Sequence, residues 1–393
     1  MYILSEAELS EDLTPLDEAW RRPESFVLLP DKSGVSREWI GHAIGQLPRE
    51  LDQDHFGLLT SGSTGQPKLI IASRDRAKSL AAVLHRLQLS EPVRQTVLLL
   101  PLSYTYAFVN QWVWATVHKR TLVPTHGLSD PEGAEAALQT ATDAMLCLVG
   151  AQVPMLARYF SGRSFPGVLR VHFAGGRFPQ ERLDVVRSLF PRAMIFSNYG
   201  CAEAMPRLTL RRAEDSDDPN DIGWPLPGVA LKSGADGELL FQSPYGAAGF
   251  IGAEGFQAIG PDKWVGTGDL AEPTLSGTWR LSGRSNEVFK RYGEKISLSL
   301  LMSTVSGAWK NNALFYREKD RAGEEGHVLL LAPAPSDAEV RAILKGFRAN
   351  HARVLWPLRI ESVDSFPLLP NGKVDVLTAS TLPGRTVHWY QRI

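Results

Sequence analysis

Cysteine is nearly absent from this chain of 393 residues, which contains Cys147 and Cys201 and no other cysteine. Two cysteines this far apart form neither a disulfide framework nor the usual zinc site, so we expect no structural metal. Their scarcity is typical of a protein from a reducing compartment. The first twenty residues are acidic and lack the basic start and apolar core of a secretory signal. We therefore expect a cytoplasmic protein.

An excess of charge of one sign is also missing. Lys and Arg total 42, Asp and Glu total 43, and the formal net charge is -1. No global positive charge is available to hold a polyphosphate backbone, so a nucleic acid is not an expected partner. Long apolar runs are missing too, since none approaches the roughly 18 residues that span a bilayer. A membrane is therefore not an expected partner either.

What the sequence does contain is the pattern of a globular α/β protein. Its length predicts two or three domains at about 100 to 200 residues each. Apolar β-branched runs such as "TVLLLP" alternate with helical spacing such as "RDRAKSLAAVLHRLQLS", which predicts βα units around a largely parallel sheet. From about Gly223, short alternating runs divided by turns predict a β-rich part. We predict a large domain over residues 1–284 and a small, mobile α+β domain over residues 285–393, with a helix capped by Ser336 or Asp337.

The strongest local signal is a tract of hydroxyl and glycine residues after an apolar strand, "LLTSGSTGQPKLI". Its glycines can bring backbone N–H groups close to an anion, its hydroxyls add donors, and its lysine adds a point charge. The spacing does not match a Walker motif, and a flexible linker is the weaker alternative. The tract predicts a phosphate site formed by Thr60, Ser61, Gly62, Ser63, Thr64, Gly65 and Lys68.

Two later strands end in residues that suit a nucleotide. Gly175 and Gly176 leave room for a flat ligand, with a tight turn as the alternative. In "SNYGCAEAMPR", which begins at Ser197 and includes Asn198, a ring on Tyr199, a bare backbone at Gly200 and a carboxylate on Glu203 follow one another. The ring would cover an adenine and the carboxylate would hold Mg²⁺ beside phosphates. A structural turn is an equally weighted alternative for this segment on its own.

Three charged residues follow in the second half of the chain. Asp269 in "WVGTGDL" is placed like a carboxylate that accepts hydrogen bonds from ribose hydroxyls. Arg284 lies in "LSGRSNEVFKRYGEKI", and Lys373 lies on a glycine-containing turn in "PLLPNGKVD". Taken singly, a lysine of this kind is an ordinary solvated side chain. The order of all these segments along the chain argues for a shared function.

Taken together, the segments resemble the adenylate-forming superfamily of acyl-CoA synthetases, nonribosomal-peptide adenylation domains and luciferases. The resemblance extends from about Phe56 to Asp375, which is most of the chain. Five motifs carry it in order: "TSGSTGQPK", the tyrosine-glycine-acid set at residues 199–203, "TGD", "GRSNEVFKRYG" and "LPNGK".

The resemblance implies an enzyme that uses ATP and Mg²⁺ to convert a small carboxylic acid to acyl-AMP with release of pyrophosphate. It implies that Glu203 holds Mg²⁺, Asp269 binds the ribose, Arg284 supports the nucleotide and Lys373 bridges the two reacting anions. The phosphate tract and residues 175, 176 and 198–200 would complete the ATP and AMP site.

The resemblance also implies transfer of the acyl group to the thiol of CoA or of a carrier protein's phosphopantetheine. The small domain would swing about a hinge at Asn286, and Gly293 would line the path of the thiol. An amide-forming enzyme with an amine acceptor shares every motif and is the alternative. A third possibility is a scaffold protein that has lost catalytic activity. The charged residues retained in the site argue against it.

The sequence departs from the family pattern in four places. Ala202 replaces a usual threonine, so one hydrogen bond to the phosphate is expected to be lost, and Asn286 replaces a usual Asp or Lys. Residues 296–303, "ISLSLLMS", lack the customary proline and acidic residues. Only 59 residues precede Thr60, so we expect much of the N-terminal subdomain to be absent, a gap that contacts in a homo-oligomer could cover.

The acyl pocket is the least defined part of the site. We predict that Tyr104, Phe108, Gly175 and Ala202 line it, and that its rings wall an aromatic or medium-sized apolar acid. The aromatic residues of "PLSYTYAFVNQWVWA" could equally belong to the core, as we expect for Trp112 and Trp114.

Lys373→Ala provides the first test, because it removes the cation predicted to join both reacting anions. Adenylate formation should lose several kcal/mol of transition-state stabilisation, whereas transfer from supplied acyl-AMP should continue. Assays of the two half-reactions measure this difference. An equal loss in both would show that Lys373 is structural.

Overall fold

The computed structural model describes residues 1–9, 12–31, 35–60, 67–367 and 374–391, and it describes the backbone but not the side chains of Asn286 and Lys295. Within these ranges the strands are β1 (Tyr2–Ser5), β2 (Phe26–Leu29), β3 (His55–Thr60), β4 (Lys68–Ser73), β5 (Gln95–Val97), β6 (Thr121–Val123), β7 (Ala144–Leu148), β8 (Val168–Phe173), β9 (Met194–Tyr199), β10 (Thr209–Arg212), β11 (Asp221–Pro225), β12 (Ala230–Ser233), β13 (Glu238–Gln242), β14 (Gly249–Gly252), β15 (Gly255–Ala258), β16 (Val265–Pro273), β17 (Trp279–Arg284), β18 (Val288–Arg291), β19 (Glu294–Ser297), β20 (Asn312–Lys319), β21 (Glu325–Ala332), β22 (Arg359–Ser362) and β23 (Thr386–Tyr390).

The α-helices in the same ranges are α1 (Thr14–Arg21), α2 (Arg37–Gly45), α3 (Arg74–Leu87), α4 (Thr105–Ala107), α5 (Trp114–His118), α6 (Pro131–Thr140), α7 (Val153–Tyr159), α8 (Leu183–Leu189), α9 (Leu298–Ala308), α10 (Asp337–Asn350) and α11 (Val376–Thr381). A π-helical segment, Phe108–Val113, joins α4 to α5.

The chain folds into two compact units. The large unit contains Met1–Gly234, Leu239–Thr267 and Pro273–Arg280, and the small unit contains Ala235–Glu238, Gly268–Glu272 and Leu281–Ile393. The boundary predicted between residues 284 and 285 stays a prediction.

The large unit is built around the expected α/β pattern. Strands β6, β5, β7, β8 and β9 lie side by side and run parallel. Strands β7 and β8 are buried along their full length, as expected when both faces of a parallel sheet are covered. Gly175 and Gly176 follow β8, and Gly200 and Glu203 follow β9. The carboxyl ends of neighbouring parallel strands meet at one edge of a sheet, so these four predicted residues lie at the same edge. The predicted fold class is confirmed.

Helix α3 shows how the sequence pattern generates this packing. Ser73 caps the helix by accepting a hydrogen bond from the Arg76 N–H group. Ala77, Leu80, Ala81 and Leu84 are buried at the spacing of one helix face. The same face joins an apolar core that includes residues of β3 and β4.

The β-rich part differs in one respect from the prediction. The change of architecture after Gly223 is confirmed, since β11 to β17 follow one another without an intervening α-helix among the described residues. These strands do not form a sheet of their own. Five of them extend the eleven-stranded sheet, in the order β12-β13-β16-β17-β11-β10-β9-β8-β7-β5-β6, whereas β14 and β15 complete a second sheet, β1-β2-β3-β4-β14-β15. Alternating runs specify strands but not which sheet edge they join.

The small unit contains the hairpin β18-β19 and the four-stranded sheet β20-β21-β22-β23. Ser336 caps α10 and forms a capping box with Glu339, as one of the two predicted caps. The Arg291 guanidinium and the Asp320 carboxylate form a buried ion pair of 3.1 Å. None of the described helices has the length and apolar character needed to cross a membrane.

Glu6 ties the start of the chain to the loop that precedes Tyr104. Its carboxylate accepts hydrogen bonds from the Leu102 N–H group, the Ser103 N–H group at 3.2 Å and the Ser103 hydroxyl at 2.6 Å. In the same 3-10 turn, Glu8 is exposed and accepts one hydrogen bond from the Ser5 N–H group.

Glu6→Ala should therefore lower the free energy of unfolding by about 1 to 3 kcal/mol, because buried N–H groups lose their acceptor. Glu8→Ala is the matched control and should cost about 0.5 kcal/mol or less. Urea unfolding followed by tryptophan fluorescence measures both. Equal losses for the two variants would contradict the assignment of Glu6 as a structural tie.

Candidate functional site

The described ends of the phosphate tract lie on two paired strands. Thr60 ends β3 and Lys68 begins β4, and the two residues are opposite each other in the antiparallel register. The Thr60 hydroxyl donates a 3.5 Å hydrogen bond to the Lys68 carbonyl. Predicted residues Ser61, Gly62, Ser63, Thr64 and Gly65 lie outside the described residues.

Lys68 contacts the tyrosine-glycine-acid segment directly. Its Nζ lies 3.1 Å from Oε1 of Glu203, and the two side chains are 25% and 18% exposed. The same Nζ lies 4.6 Å from the ring centroid of Phe250 on β14. An ion pair with this much burial is less screened by solvent than a surface pair. The structure thus joins two motifs that lie 135 residues apart in the sequence.

The turn that carries Glu203 requires glycine at its first residue. A Cβ on Gly200 would lie 2.0 Å from the carbonyl oxygen of Pro206, so the two ends of the turn could not approach as they do. Residues Ala202–Ala204 form a 3-10 turn, and the Glu203 carbonyl accepts a 2.9 Å hydrogen bond from the Ala247 N–H group. The backbone on both sides of Glu203 is therefore fixed.

The two residues before this turn have different environments. Asn198 is buried, accepts a hydrogen bond from Gln88 at 3.3 Å and donates one to the Phe173 carbonyl at 3.2 Å. Its amide thus links β9 to β8 and α3 rather than projecting outward. Tyr199 is half-buried and packs beside the cluster of Ala204, Leu208 and Phe241. A nucleotide-binding role for either side chain stays a prediction.

Gly175 and Gly176 follow β8, as predicted, but they differ in what they require. Gly175 has a φ of 75°, which favours glycine. Gly176 has no heavy atom of the described residues within 4 Å of the position that a Cβ would occupy. Ala202 is half-buried and packs against the core of the large unit. The open space at Gly176 is compatible with a flat ligand.

The two aromatic residues predicted to line the acyl pocket differ in burial. Phe108 is fully buried and packs against Phe56 and Trp112, with ring centroids 4.9 Å apart in each case. The structure therefore places it in the core. Trp112 and Trp114 are also core residues, as expected. Tyr104 is half-buried, and burial raises the pKa of its hydroxyl to about 12.

Asp269 and Arg284, both in the small unit, form a second ion pair. The Arg284 Nε lies 2.9 Å from Oδ1 of Asp269, whose side chain is 9% exposed. The preceding Gly268 has a φ of 74°, and its N–H group donates a 2.9 Å hydrogen bond to Glu238. Sequence reasoning gave no role to Glu238, the first residue of the largely apolar strand β13.

The predicted hinge and thiol-path residues lie close to the β18-β19 hairpin. The backbone of Asn286 belongs to a 3-10 turn between β17 and β18, and its side chain lies outside the described residues. Tyr292 and Gly293 form the two-residue hairpin turn with φ angles of 47° and 84°. Positive φ at both positions is typical of a type I′ turn. Lys373 lies outside the described residues.

Glu203 offers one carboxylate to a metal ion. Among the residues that the structure describes, no group of three or more His, Cys, Asp and Glu side chains could hold a metal ion. In nucleotide sites, Mg²⁺ is commonly bound by one or two carboxylates together with phosphates. The partly buried Glu203 carboxylate beside Lys68 fits that donor set.

Arg207 and His172 are further polar residues of this region that sequence reasoning did not assign. Both are buried, and both carry nitrogens without hydrogen-bond partners among the described residues. Arg207 ends the segment that begins at Ser197, but the amino-acid sequence does not indicate that its guanidinium is buried.

A family model described as "AMP-binding enzyme" matches residues 10–250. The chain is 25% identical over 374 residues to a D-alanine–D-alanyl carrier protein ligase of Streptococcus pneumoniae (strain 70585), covering 84% of this chain and 70% of that protein. It is 26% identical over 346 residues to tyrocidine synthase 2 of Brevibacillus parabrevis, covering 81% of this chain and 9% of that protein.

The fold is similar to that of o-succinylbenzoate CoA synthetase from Bacillus subtilis, solved in complex with the acyl-adenylate intermediate OSB-AMP. The TM-score is 0.71 at 17% identity, and the match covers 100% of this chain and 89% of that one.

Alanine substitutions at Gly200 and Gly176 test whether one glycine is required by the backbone and the other leaves space for a ligand. Gly200→Ala should lower the thermal unfolding midpoint, because its Cβ meets the backbone of Pro206, and overpacking of this kind costs about 1 to 3 kcal/mol. Gly176→Ala should leave the midpoint unchanged and weaken ATP or acid binding in calorimetry. A stable Gly200→Ala protein would contradict the account of the turn.

Proposed function

This chain belongs to the AMP-binding enzyme family, and we propose that it activates a carboxylic acid with ATP and passes the acyl group to a thiol. The adenylate-forming resemblance that the five motifs predicted is confirmed by the family match and by the ligases to which the chain is similar. The proposed enzyme is an AMP-forming acid-thiol ligase that releases pyrophosphate.

The observation that carries the proposal is the Lys68–Glu203 ion pair of 3.1 Å. It brings the end of the phosphate tract to the carboxylate of the tyrosine-glycine-acid segment. A cation and a carboxylate held together in this way are suited to binding a polyphosphate and its counterion. If the segment around Glu203 served only as a structural turn, the burial of the pair would have no explanation, nor would its formation between two different sheets.

The chemistry explains why such charges are needed. A carboxylate oxygen attacks the α-phosphorus of ATP, the bond to pyrophosphate breaks, and negative charge accumulates between two anions. Fixed cations and N–H donors stabilise that charge because they need no reorganisation during the reaction. We assign Lys68 and the phosphate tract to the phosphates, Asp269 to the ribose, Arg284 to support of the nucleotide and Lys373 to the bridge between the reacting groups.

Glu203 would hold Mg²⁺, which would supply positive charge beside the phosphates. The same carboxylate lies 3.1 Å from Nζ of Lys68. We propose the cytoplasm as the compartment, because ATP and thiol acceptors are available there.

The thiol acceptor is proposed from the relatives. One is named as a carrier protein ligase and another as a CoA synthetase, so each name includes a thiol-bearing acceptor. A carrier protein or CoA is therefore the expected partner of this chain. After transfer, AMP is released.

Acid-dependent exchange of labelled pyrophosphate into ATP tests the proposed function. Wild-type protein should support exchange with at least one acid of a broad panel and should require Mg²⁺. Glu203→Gln should lower exchange by about 100-fold, on the scale of a lost electrostatic catalyst. Glu135→Gln removes the carboxylate of another ion pair, with Arg163 on the surface, and should leave exchange unchanged. If no acid supports exchange and calorimetry detects no ATP binding, the proposal is wrong.

The acceptor is tested at Gly293, where the structure requires a positive φ. Gly293→Asn adds a side chain that tolerates this conformation, whereas Gly293→Leu adds strain as well. If the thiol passes there, both variants should keep adenylate formation and lose acyl transfer, and Gly293→Asn should keep its thermal stability. If Gly293→Asn transfers normally and only Gly293→Leu fails, the residue serves the turn alone.

A further inference from the structure

Arg207 is a buried cation with almost no partner. Its side chain is 1% exposed, and its Nε and Nη2 atoms have no hydrogen-bond partner in the described part of the chain. Its Nη1 atom makes a single long hydrogen bond, 3.5 Å, to the carbonyl of the adjacent Pro206. A guanidinium has five N–H donors, and leaving buried donors unpaired costs free energy.

Other buried arginines of the large unit show what a structural arginine does. Arg211 donates to the carbonyls of Asp221, Arg212 and Ser216 at 2.7 to 3.1 Å and to further carbonyls of the same loop. Arg170 donates to the carbonyls of Gln88 and Leu169, and also to that of Leu89. Each ties backbone segments together. Arg207 ties nothing in this way.

Among the described residues, the groups that act on the Arg207 charge are polar and include no Asp or Glu side chain. The Arg207 guanidinium lies 4.3 Å from the ring centroid of Tyr106, and its other electrostatic neighbours are Tyr104 and the Cys147 thiol. Burial raises the pKa of Cys147 to about 12 and that of Tyr104 to about 12, so both groups are neutral at pH 7. Burial lowers the pKa of His172 well below its usual range, and the nearby Arg207 charge lowers it further. His172 is therefore neutral as well.

His172 adds donor capacity to the same cluster. Both of its ring nitrogens lack hydrogen-bond partners among the described residues, and its ring stacks on Phe196. The cluster of Arg207, His172, Tyr104 and Tyr106 therefore combines one charged donor group with neutral polar groups. No carboxylate of the described residues compensates that charge.

The cluster adjoins the predicted acyl pocket. Tyr104 was predicted to line that pocket and is the one member of the cluster that is half-buried rather than buried. Arg207 lies four residues after Glu203, and its backbone closes the turn at Gly200.

We infer that Arg207 binds a second carboxylate of the acid substrate, so that the enzyme activates one carboxylate of a dicarboxylic acid while the other pairs with the guanidinium. The inference rests on the proposed function, because it names the class of acid that function acts on. A carboxylate would accept from Nε and Nη2 in the bidentate geometry typical of arginine. Burial of both charges strengthens the pairing and makes an apolar or cationic group at this position unfavourable.

This assignment excludes acids that carry a positive charge at the far end. An ammonium group there would lie beside the buried guanidinium, which repels it. The substrate expected here carries two negative charges and no positive one.

The test compares acids of matched shape that differ only at the far end. One set is glutarate, pentanoate and δ-aminopentanoate, with shorter and longer homologues. An aryl set is isophthalate, benzoate and aminomethylbenzoate. In pyrophosphate exchange, a dicarboxylate should exceed its monocarboxylate in kcat/KM by at least tenfold, and the ammonium acids should be inactive.

Arg207→Met removes the charge while keeping an apolar side chain of similar length. It should lose at least tenfold in kcat/KM for the dicarboxylate, gain activity on the monocarboxylate and retain its thermal stability, because an unpaired buried charge has been removed. Arg211→Met is the matched control: it should lower thermal stability, because carbonyls lose their donor, and leave the preference among acids unchanged. Calorimetric binding of the dicarboxylate to wild-type protein, compared with the monocarboxylate, requires no variant.

The outcomes distinguish a failure of the dicarboxylate subsite from a failure of the acid activation on which it rests. If wild-type protein supports exchange but prefers monocarboxylates, or if Arg207→Met keeps the wild-type preference, the subsite is wrong and acid activation stands. If no acid supports exchange, acid activation is wrong, and calorimetry decides the subsite separately. Dicarboxylate binding that depends on Arg207 would support it, and absent or equal binding of the two acids would overturn it.

Discussion

The pairing of Lys68 with Glu203 is the interaction on which the candidate site depends. Lys68 belongs to a strand of the six-stranded sheet, and Glu203 follows a strand of the eleven-stranded sheet, so the pair forms only when both sheets are correctly assembled. The surrounding geometry holds the two residues at this distance. Strand β4 is fixed between β3 and β14, and the turn around Glu203 is fixed by the close approach at Gly200 and by the Ala247 N–H group. Charges placed by rigid backbone are already oriented for a polyphosphate before it binds.

Motifs and periodicity were enough to predict the fold class and the family. A tract of glycine, hydroxyl and lysine residues indicates a phosphate site from its local sequence, with little dependence on tertiary structure. The alternation of strand and helix patterns depends only on which faces of each element are buried. Burial at a given position is different, because it depends on packing that no single segment contains. Phe108 was predicted as a pocket wall and lies in the core, and the β-rich strands joined two existing sheets instead of forming their own. Arg207 carries no motif, so its unpaired nitrogens became visible only in the structure.

The same physical principle explains both the predicted site and the further inference. Charge inside a protein must be compensated, and the structure shows where compensation is complete and where it is not. Lys68 with Glu203 and Asp269 with Arg284 are complete pairs that a nucleotide and its counterion would reorganise. Arg207 has no carboxylate partner among the described residues, and the proposed partner is the second carboxylate of the substrate. The nucleotide site is predicted to be shared with the family, whereas Arg207 sets the choice of acid.

The most direct test of acyl-AMP formation follows the oxygen atom that the acid would transfer. With a dicarboxylic acid labelled with ¹⁸O in its carboxylates, ATP and a thiol acceptor, mass spectrometry should find one labelled oxygen in AMP and none in pyrophosphate. The label reaches AMP because the thiol breaks the bond between the acyl carbon and the bridging oxygen. Label in inorganic phosphate together with ADP, or thioester formation with unlabelled AMP, would contradict an acyl-adenylate intermediate.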